Sequence, residues 1–324
     1  MADTVRTINS LMAYLRDRKN IDIRGSSHKR KLRNMGYYHG YKGYRFAGEA
    51  SNALRYSNFD ELYAVYQFDL ALKGLLYPKI MFIETALKNY ALEILLQQTN
   101  SSSFSDLYNK ELKSYKSYPV NSKKYNDEIR KRNNLQTKIY GDLARSYGKS
   151  RIVSHFYDRD RPVPIWALFE LLTFGEFGTL LSCLNPETKV KISNALSFNS
   201  ALDADGKTPV LITYALRDLR NAIAHNDPIF DTRFRSRELP DRLKNYMQAE
   251  CGIPNIRFNT IADYFLLVAY MMQRFHCTKT EIRQFLNEFL NCIDVYRSQI
   301  PASVFTKFIH TDTRSKINRM IANL

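Results

Sequence analysis

A chain of 324 residues, 44% of them apolar, is long enough for one large core or two ordinary ones and too apolar for a disordered protein. It holds no uninterrupted apolar run of the ~18 to 20 residues that cross a bilayer, and Met1–Asn20 lacks the short apolar run of a secretory signal. A membrane or exported protein is therefore not expected, and a cytoplasmic one with nucleic acid as its partner is: 48 Lys and Arg against 32 Asp and Glu leave a net charge of +16 beside 22 Tyr and 19 Phe, which suits phosphate backbones and unpaired bases.

The first element, TINSLMAYLRDRKNIDI, reads as an amphipathic helix around Leu11 and Leu15. It leads into His28-Lys29-Arg30-Lys31-Leu32-Arg33, so residues 1–60 carry twelve Lys and Arg against five Asp and Glu. In MGYYHGYKGYRF, Tyr37, Tyr38, Tyr41 and Tyr44 alternate with glycines and with Lys42 and Arg45. Such a loop can stack bases between charges, or the tyrosines can pack the small N-terminal helices onto the rest of the chain. On the first alternative Lys29, Arg30, Lys31, Arg33, Tyr41, Lys42, Tyr44 and Arg45 are RNA-binding candidates.

Ser57-Asn58-Phe59-Asp60 has the look of a helix start, followed at helical spacing by Leu62, Val65, Tyr66 and Leu70, with Gly74 weakening the end. Pro78 either kinks that helix or opens a second one whose wide apolar face runs through Ile80, Ile83, Leu87, Tyr90 and Ile94. Between Asp106 and Arg161 the chain turns basic, with fourteen Lys and Arg against seven Asp and Glu and little sustained apolar periodicity. This predicts an exposed, partly helical insertion in which Lys123, Lys124, Arg130, Lys131, Arg132, Arg151 and His155 are further RNA-binding candidates.

PVPIWALFELLTFGEFGTLLSCL predicts a helix after Pro162 and Pro164 that buries Trp166, Leu168, Phe169 and Leu172 and ends at Gly175 and Gly178. Near the C-terminus, Thr278-Lys279-Thr280-Glu281 is a capping box ahead of Ile282, Phe285, Leu286, Phe289 and Ile293. Strand alternation and Asn-Gly hairpin turns are absent, so an all-α fold is expected. Cys183, Cys251, Cys277 and Cys292 are scattered without a CxxC pair or a His at ligand spacing; they read as free thiols, mostly in the core, and no metal or cofactor is expected.

The segment LITYALRDLRNAIAHNDP could carry chemistry. Ile212, Ala215, Leu216, Leu219, Ala222 and Ile223 share one helical face, while Arg217, Arg220, Asn221 and Ala224 lie opposite with His225 at the edge. Pro228 ends the helix near His225, and Asn221 one turn earlier is within reach to orient the imidazole. RNA can be cut when its 2′-hydroxyl attacks the adjacent phosphate, which needs a proton acceptor and donor near neutrality and a cation for the developing charge. Histidine suits the first role and arginine the second. His28, His39, His155, His276 and His310 have no partner at a meaningful spacing, and no GxxxxGK[ST] loop occurs.

The run RDLRNAIAH resembles the signature of the HEPN ribonuclease superfamily, in which an Arg, often followed by a polar residue, precedes a His by four to six positions. LRNMGYYHGYKGY, NFDELYAVYQFDLALKGLL, MFIETALKNYA, PIWALFELLTFGEFGTL and the Arg-His run also stand in the order found in the Abi-like family of phage abortive-infection proteins, over roughly residues 10–230. The resemblance implies an all-α HEPN-type helical bundle, two protomers joining their Arg-His motifs in one cleft, and RNA cleavage in phage defence in the bacterial cytoplasm. On it, Arg220, Asn221 and His225 are catalytic and Arg217 supports them. Glu84 would hold Arg220 or Lys88; otherwise it is an exposed helical Glu.

The resemblance also divides the chain: residues 1–56 form a basic N-terminal helical region, 57–105 the first HEPN core helices and 106–161 the basic insertion. Residues 162–250 form the second core part and 251–324 a C-terminal helical region. HEPN toxins silenced by nucleotide addition carry Tyr two residues after the His, where this chain has Asp227, so that form of control is not expected. The implied partners are an RNA substrate, a bound structured noncoding RNA acting as restraint, and a second copy of the chain. The competing expectation is a non-catalytic protein that holds such an RNA as a scaffold.

Overall fold

The computed structural model describes residues 7–235 and 237–324, and the side chains of all of these but Tyr38 and His39. The readings of the Tyr38 ring and the His39 imidazole thus lie outside the described groups. Fifteen α-helices and no β-strand occur among the described residues, as expected of an all-α protein. None of these helices is long and apolar enough to cross a membrane.

The chain folds as two compact units, one from Met1–Ile80, Asp218–Leu239 and Met247–Leu324, the other from Met81–Arg217 and Pro240–Tyr246. In the first unit, α1 (Ile8–Lys19) starts where the Thr7 hydroxyl accepts from the Ser10 N–H, and it ends at Asn20 in the left-handed region with φ 55°. It buries Leu11, Met12 and Leu15, and α2 (Gly25–Met35), packed against it, buries Leu32 and Met35 while its basic residues stay at the surface.

The alternatives at Pro78 resolve as one helix, α3 (Phe59–Thr99), with the proline inside it. Its cap is Asn58, whose Oδ1 accepts from the Glu61 N–H at 3.0 Å while Glu61 Oε2 accepts from the Ser57 N–H at 2.6 Å. The acid of the cap is thus Glu61, and Asp60 instead faces His28 and Lys31. Phe59, Leu62, Val65, Phe68, Leu72, Leu76 and Ile80 are completely buried along its first half.

In the second unit, α4 (Phe104–Lys110) precedes α5 (Lys123–Ser146), which starts at the Ser122 cap. The basic stretch proves to contain a seated helix: Leu135, Ile139 and Leu143, at i, i+4 and i+8, are buried, and α5 packs on later helices of the same unit. Three apolar residues at that spacing make a narrow stripe that a count of charges hides.

After α6 (Arg151–Tyr157) comes α7 (Ile165–Leu171), and here the expectation of a buried tryptophan fails. Ile165, Leu168, Phe169 and Leu172 take the inner face at spacings of three and four; Trp166 is turned about 100° from it and is 45% exposed. The predicted end at Gly175 and Gly178 fails too. The break comes at Thr173, which forms a capping box with Glu176, and both glycines lie inside α8 (Phe174–Cys183). A Cβ at Gly178 would lie 3.0 Å from the Tyr214 ring and one at Gly175 3.2 Å from Arg217 Cδ, so these glycines permit close approach rather than termination.

A further capped helix, α9 (Pro186–Ala195), leads to α10 (Thr208–Ala224), and α11 (Asp241–Cys251) follows the loop beyond it. The C-terminal helices of the first unit are α12 (Ile261–Arg274), α13 (Lys279–Arg297), α14 (Ala302–Phe305) and α15 (Thr313–Ala322). Every residue of α12 from Ile261 to Met272 is buried, and Phe265 stacks on Phe289 of α13 with ring centres 3.8 Å apart. The Thr278–Glu281 capping box starts α13 as expected. Cys183, Cys251 and Cys292 are buried, Cys277 half-buried, and all four are free thiols.

Candidate active site

The apolar face of α10 is as read: Ile212, Ala215, Leu216, Leu219 and Ala222 are buried. Ile223 is half-buried, as are Arg217, Arg220 and Asn221, while Ala224 and His225 are exposed. The helix closes with the Asn226 N–H bonded to Ile223 O at 3.1 Å and the Asp227 N–H to Ala222 O at 2.8 Å, and Asn226 takes the left-handed conformation with φ 58°. This ending sets His225 on the last turn, at the surface. Arg220 Nη1 donates to Asn221 Oδ1 at 3.2 Å, so the amide oxygen serves the guanidinium rather than the imidazole.

The loop after His225 is held by a buried polar network in the first unit. Lys73 Nζ donates to Asn226 Oδ1 at 3.0 Å and pairs with Asp69 at 2.8 Å. Asp69, fully buried, accepts the N–H groups of Ile229 and Phe230 on Oδ1, each at 2.8 Å, and the Tyr44 hydroxyl on Oδ2 at 2.7 Å. Four partners leave neither oxygen of this buried carboxyl group unsatisfied. Farther along, Arg233 pairs with Asp231 at 2.9 Å, donates to the Gly43 carbonyl and covers the Phe46 ring. Burial pushes the Asp231 carboxyl up, opposed by Arg233 and by the Gly48 N–H, which donates at 2.9 Å.

Asp69 and Lys73 escaped the sequence reading, although a signal was present. They stand at i and i+4 on the apolar stripe of α3 between Val65 and Leu76, where unpaired charges would be costly.

The Tyr and Gly segment divides by depth. Tyr44 is 1% exposed, and Tyr41 is buried with its hydroxyl pushed up to about 12 by burial. Both rings therefore belong to the core, while Lys42 and Arg45 face solvent with Arg30 and Arg33. Lys29 is half-exposed; Lys31 pairs with Asp60 at 2.8 Å and lies over the Tyr63 ring. Lys31 foremost holds the Asp60 carboxyl below its usual range; burial opposes it, and His28 adds to the lowering.

In the second unit Glu84 is 6% exposed and pairs with Lys88 at 3.1 Å, and Lys88 also donates to the Leu172 carbonyl. Of the two readings of Glu84, the exposed one is excluded. The Arg217 guanidinium lies over the Tyr214 ring and lines a cavity of about 440 Å³ with Arg130, Lys131, Lys138 and Glu176. Arg132 is tied down, stacked 3.6 Å from the Tyr108 ring centre and donating to the Tyr108 carbonyl. Lys123, Lys124, Arg151 and His155 are exposed, and Arg159 Nη1 lies 2.7 Å from His155 Nδ1. Among the described residues no group of three or more His, Cys, Asp or Glu is placed to hold a metal ion.

Compared with known proteins, residues 30–231 match the family described as Abi-like protein. No curated protein and no solved structure matches the chain.

Proposed function

Because the chain belongs to the Abi-like protein family, we propose that it is a phage-defence endoribonuclease of the HEPN type that cuts RNA without a metal, as a dimer. What supports this above all is the end of α10, where Arg220 and Asn221 are joined at 3.2 Å and His225 lies exposed above a loop anchored by Asp69 and Lys73. A proton-transfer group and a cation on an anchored helix end meet the needs of transesterification.

In that reaction the 2′-hydroxyl gives up its proton, O2′ bonds to phosphorus and the bond from phosphorus to O5′ breaks. O5′ takes a proton, leaving a 2′,3′-cyclic phosphate and a 5′-hydroxyl. RNA brings its own nucleophile, so no activated water is required. Each chain offers one His225, and two chains offer one base and one acid. The basic surface also fits a bound structured RNA that covers the cleft until infection.

The test is incubation of purified protein with RNA in EDTA, followed by end analysis. Cyclic-phosphate ends are expected, with a rate loss of about 10²- to 10⁴-fold in His225→Ala and a comparable loss in Arg220→Ala. Cutting that persists in His225→Ala, or that requires added metal, overturns the reading. A non-catalytic RNA scaffold would instead co-purify with one RNA of defined length and cut nothing.

A further inference from the structure

Between Tyr140 and Trp166 the second unit exposes apolar groups that a folded chain normally hides. Tyr147 is 53% exposed, Tyr157 38%, Ile152 40% and Trp166 45%. They form neighbouring pairs: Tyr147 meets Tyr157 edge-on with ring centres 6.0 Å apart, and Trp166 meets Phe156 edge-on at 5.8 Å, on adjacent residues of α6. An edge-on pair covers only one of its four ring faces, so the remaining faces are not consumed by the partner.

The same segment is cationic. From Arg145 to Arg161 there are five Lys and Arg, Arg151, Arg159 and Arg161 among them, against Asp158 and Asp160. Asp158 already accepts the Tyr147 hydroxyl at 2.9 Å.

We propose that this face, built on Trp166, Tyr157 and Tyr147 and edged by Arg151, Arg159 and Arg161, is a docking platform for single-stranded RNA. Rings stack on bases of any sequence, and the flanking cations meet the phosphates that run beside them. A second copy of the chain fits the face less well, since it would bring the same surplus of positive charge. The inference rests on RNA as the macromolecule the chain acts on, but not on turnover.

Trp166 is the one tryptophan of the chain, so its emission reports on this face alone. The experiment titrates full-length protein with a 2′-O-methyl oligouridine of about 12 nucleotides, which cannot undergo attack by its own 2′-oxygen and is long enough for one such face. Tryptophan emission and oligonucleotide anisotropy are read together. Emission is expected to fall with the same midpoint as the anisotropy rises. Trp166→Ala should weaken binding about tenfold or more, Trp166→Phe much less, and the pair Arg159→Gln and Arg161→Gln should flatten the salt dependence. Should Trp166→Ala lose helicity, the arginine pair decides.

Binding by anisotropy with unchanged emission, and with unchanged affinity in Trp166→Ala, overturns the platform. So does an emission change that follows protein concentration without RNA, which would mark a contact between copies. Cleavage of ordinary RNA, scored on the same samples with and without His225→Ala, separates the two readings: intact cleavage with no quenching sinks the platform alone.

Discussion

Lys73 Nζ lies 3.0 Å from Oδ1 of Asn226, so a buried ammonium on α3 fixes the residue that turns the chain directly after His225. Asn226→Gly keeps the left-handed turn and removes only the tether. Unfolding in urea should change by no more than about 1 kcal/mol, while cleavage by the proposed reaction should slow by up to about 100-fold because the residue next to His225 is no longer tethered. Unchanged turnover would mean that the helix end needs no tether.

Asp69 is the opposite case. Its removal leaves two N–H groups and the Tyr44 hydroxyl without their acceptor in the core, and Lys73 without its carboxylate partner. Asp69→Ala is expected to cost about 3–5 kcal/mol in urea unfolding, at the upper end for single substitutions.

Two glycines should respond with opposite sign to the same substitution. Gly74 lies exposed in α3 with open space where a Cβ would stand, so Gly74→Ala should stabilise by about 0.5–1 kcal/mol. Gly206 has φ 64° and its Cβ would meet the backbone of Lys189, so Gly206→Ala should destabilise by about 2 kcal/mol or more. Thermal unfolding of the two variants checks the pair.

Asp263, fully buried, accepts from Lys316 at 3.1 Å and from the N–H groups of Arg257 and Phe258. Burial raises its carboxyl above the ordinary value in spite of Lys316. A carboxyl raised in the folded state binds its proton more readily there than in the unfolded chain, so the cost of its buried charge is greatest above the folded value and is relieved as pH falls through it. Lys316→Met should therefore destabilise by about 3–5 kcal/mol at neutral pH, and by progressively less in mildly acidic buffer. Urea titrations across that range test the sign.

The thiols should be distinguishable. Burial pushes Cys251 and Cys292 up to about 12 and raises Cys183; it raises Cys277 as well, but that thiol is only half-buried and within reach of a reagent. A maleimide at mildly alkaline pH is expected to label Cys277 ahead of the other three in the folded protein and all four after unfolding, as mass spectrometry would show.

The all-α class and the apolar face of α10 could be read from the sequence because both rest on local periodicity. Trp166 could not be placed, because an aromatic next to an apolar stripe counts as part of it until helix phase is fixed at Ile165. Tyr44 was open between core and surface for a related reason: its burial depends on Asp69 and Phe230, the latter 186 positions beyond it. The anchors of the His225 loop were hidden for the same reason, since a hydrogen bond across 150 residues leaves no spacing to recognise.

That remoteness also orders events in time. The loop after His225 is seated by Gly43 and Gly48 from early in the chain and by Phe308, whose ring stands edge-on to Phe230 at 5.0 Å, from near its end. During synthesis the early supports wait for Asp231, and the last one, Phe308, follows only 77 residues after it. A nascent chain that stops short of Phe308 lacks part of that seat, so the helix end bearing His225 settles only after much of the sequence beyond it has been made.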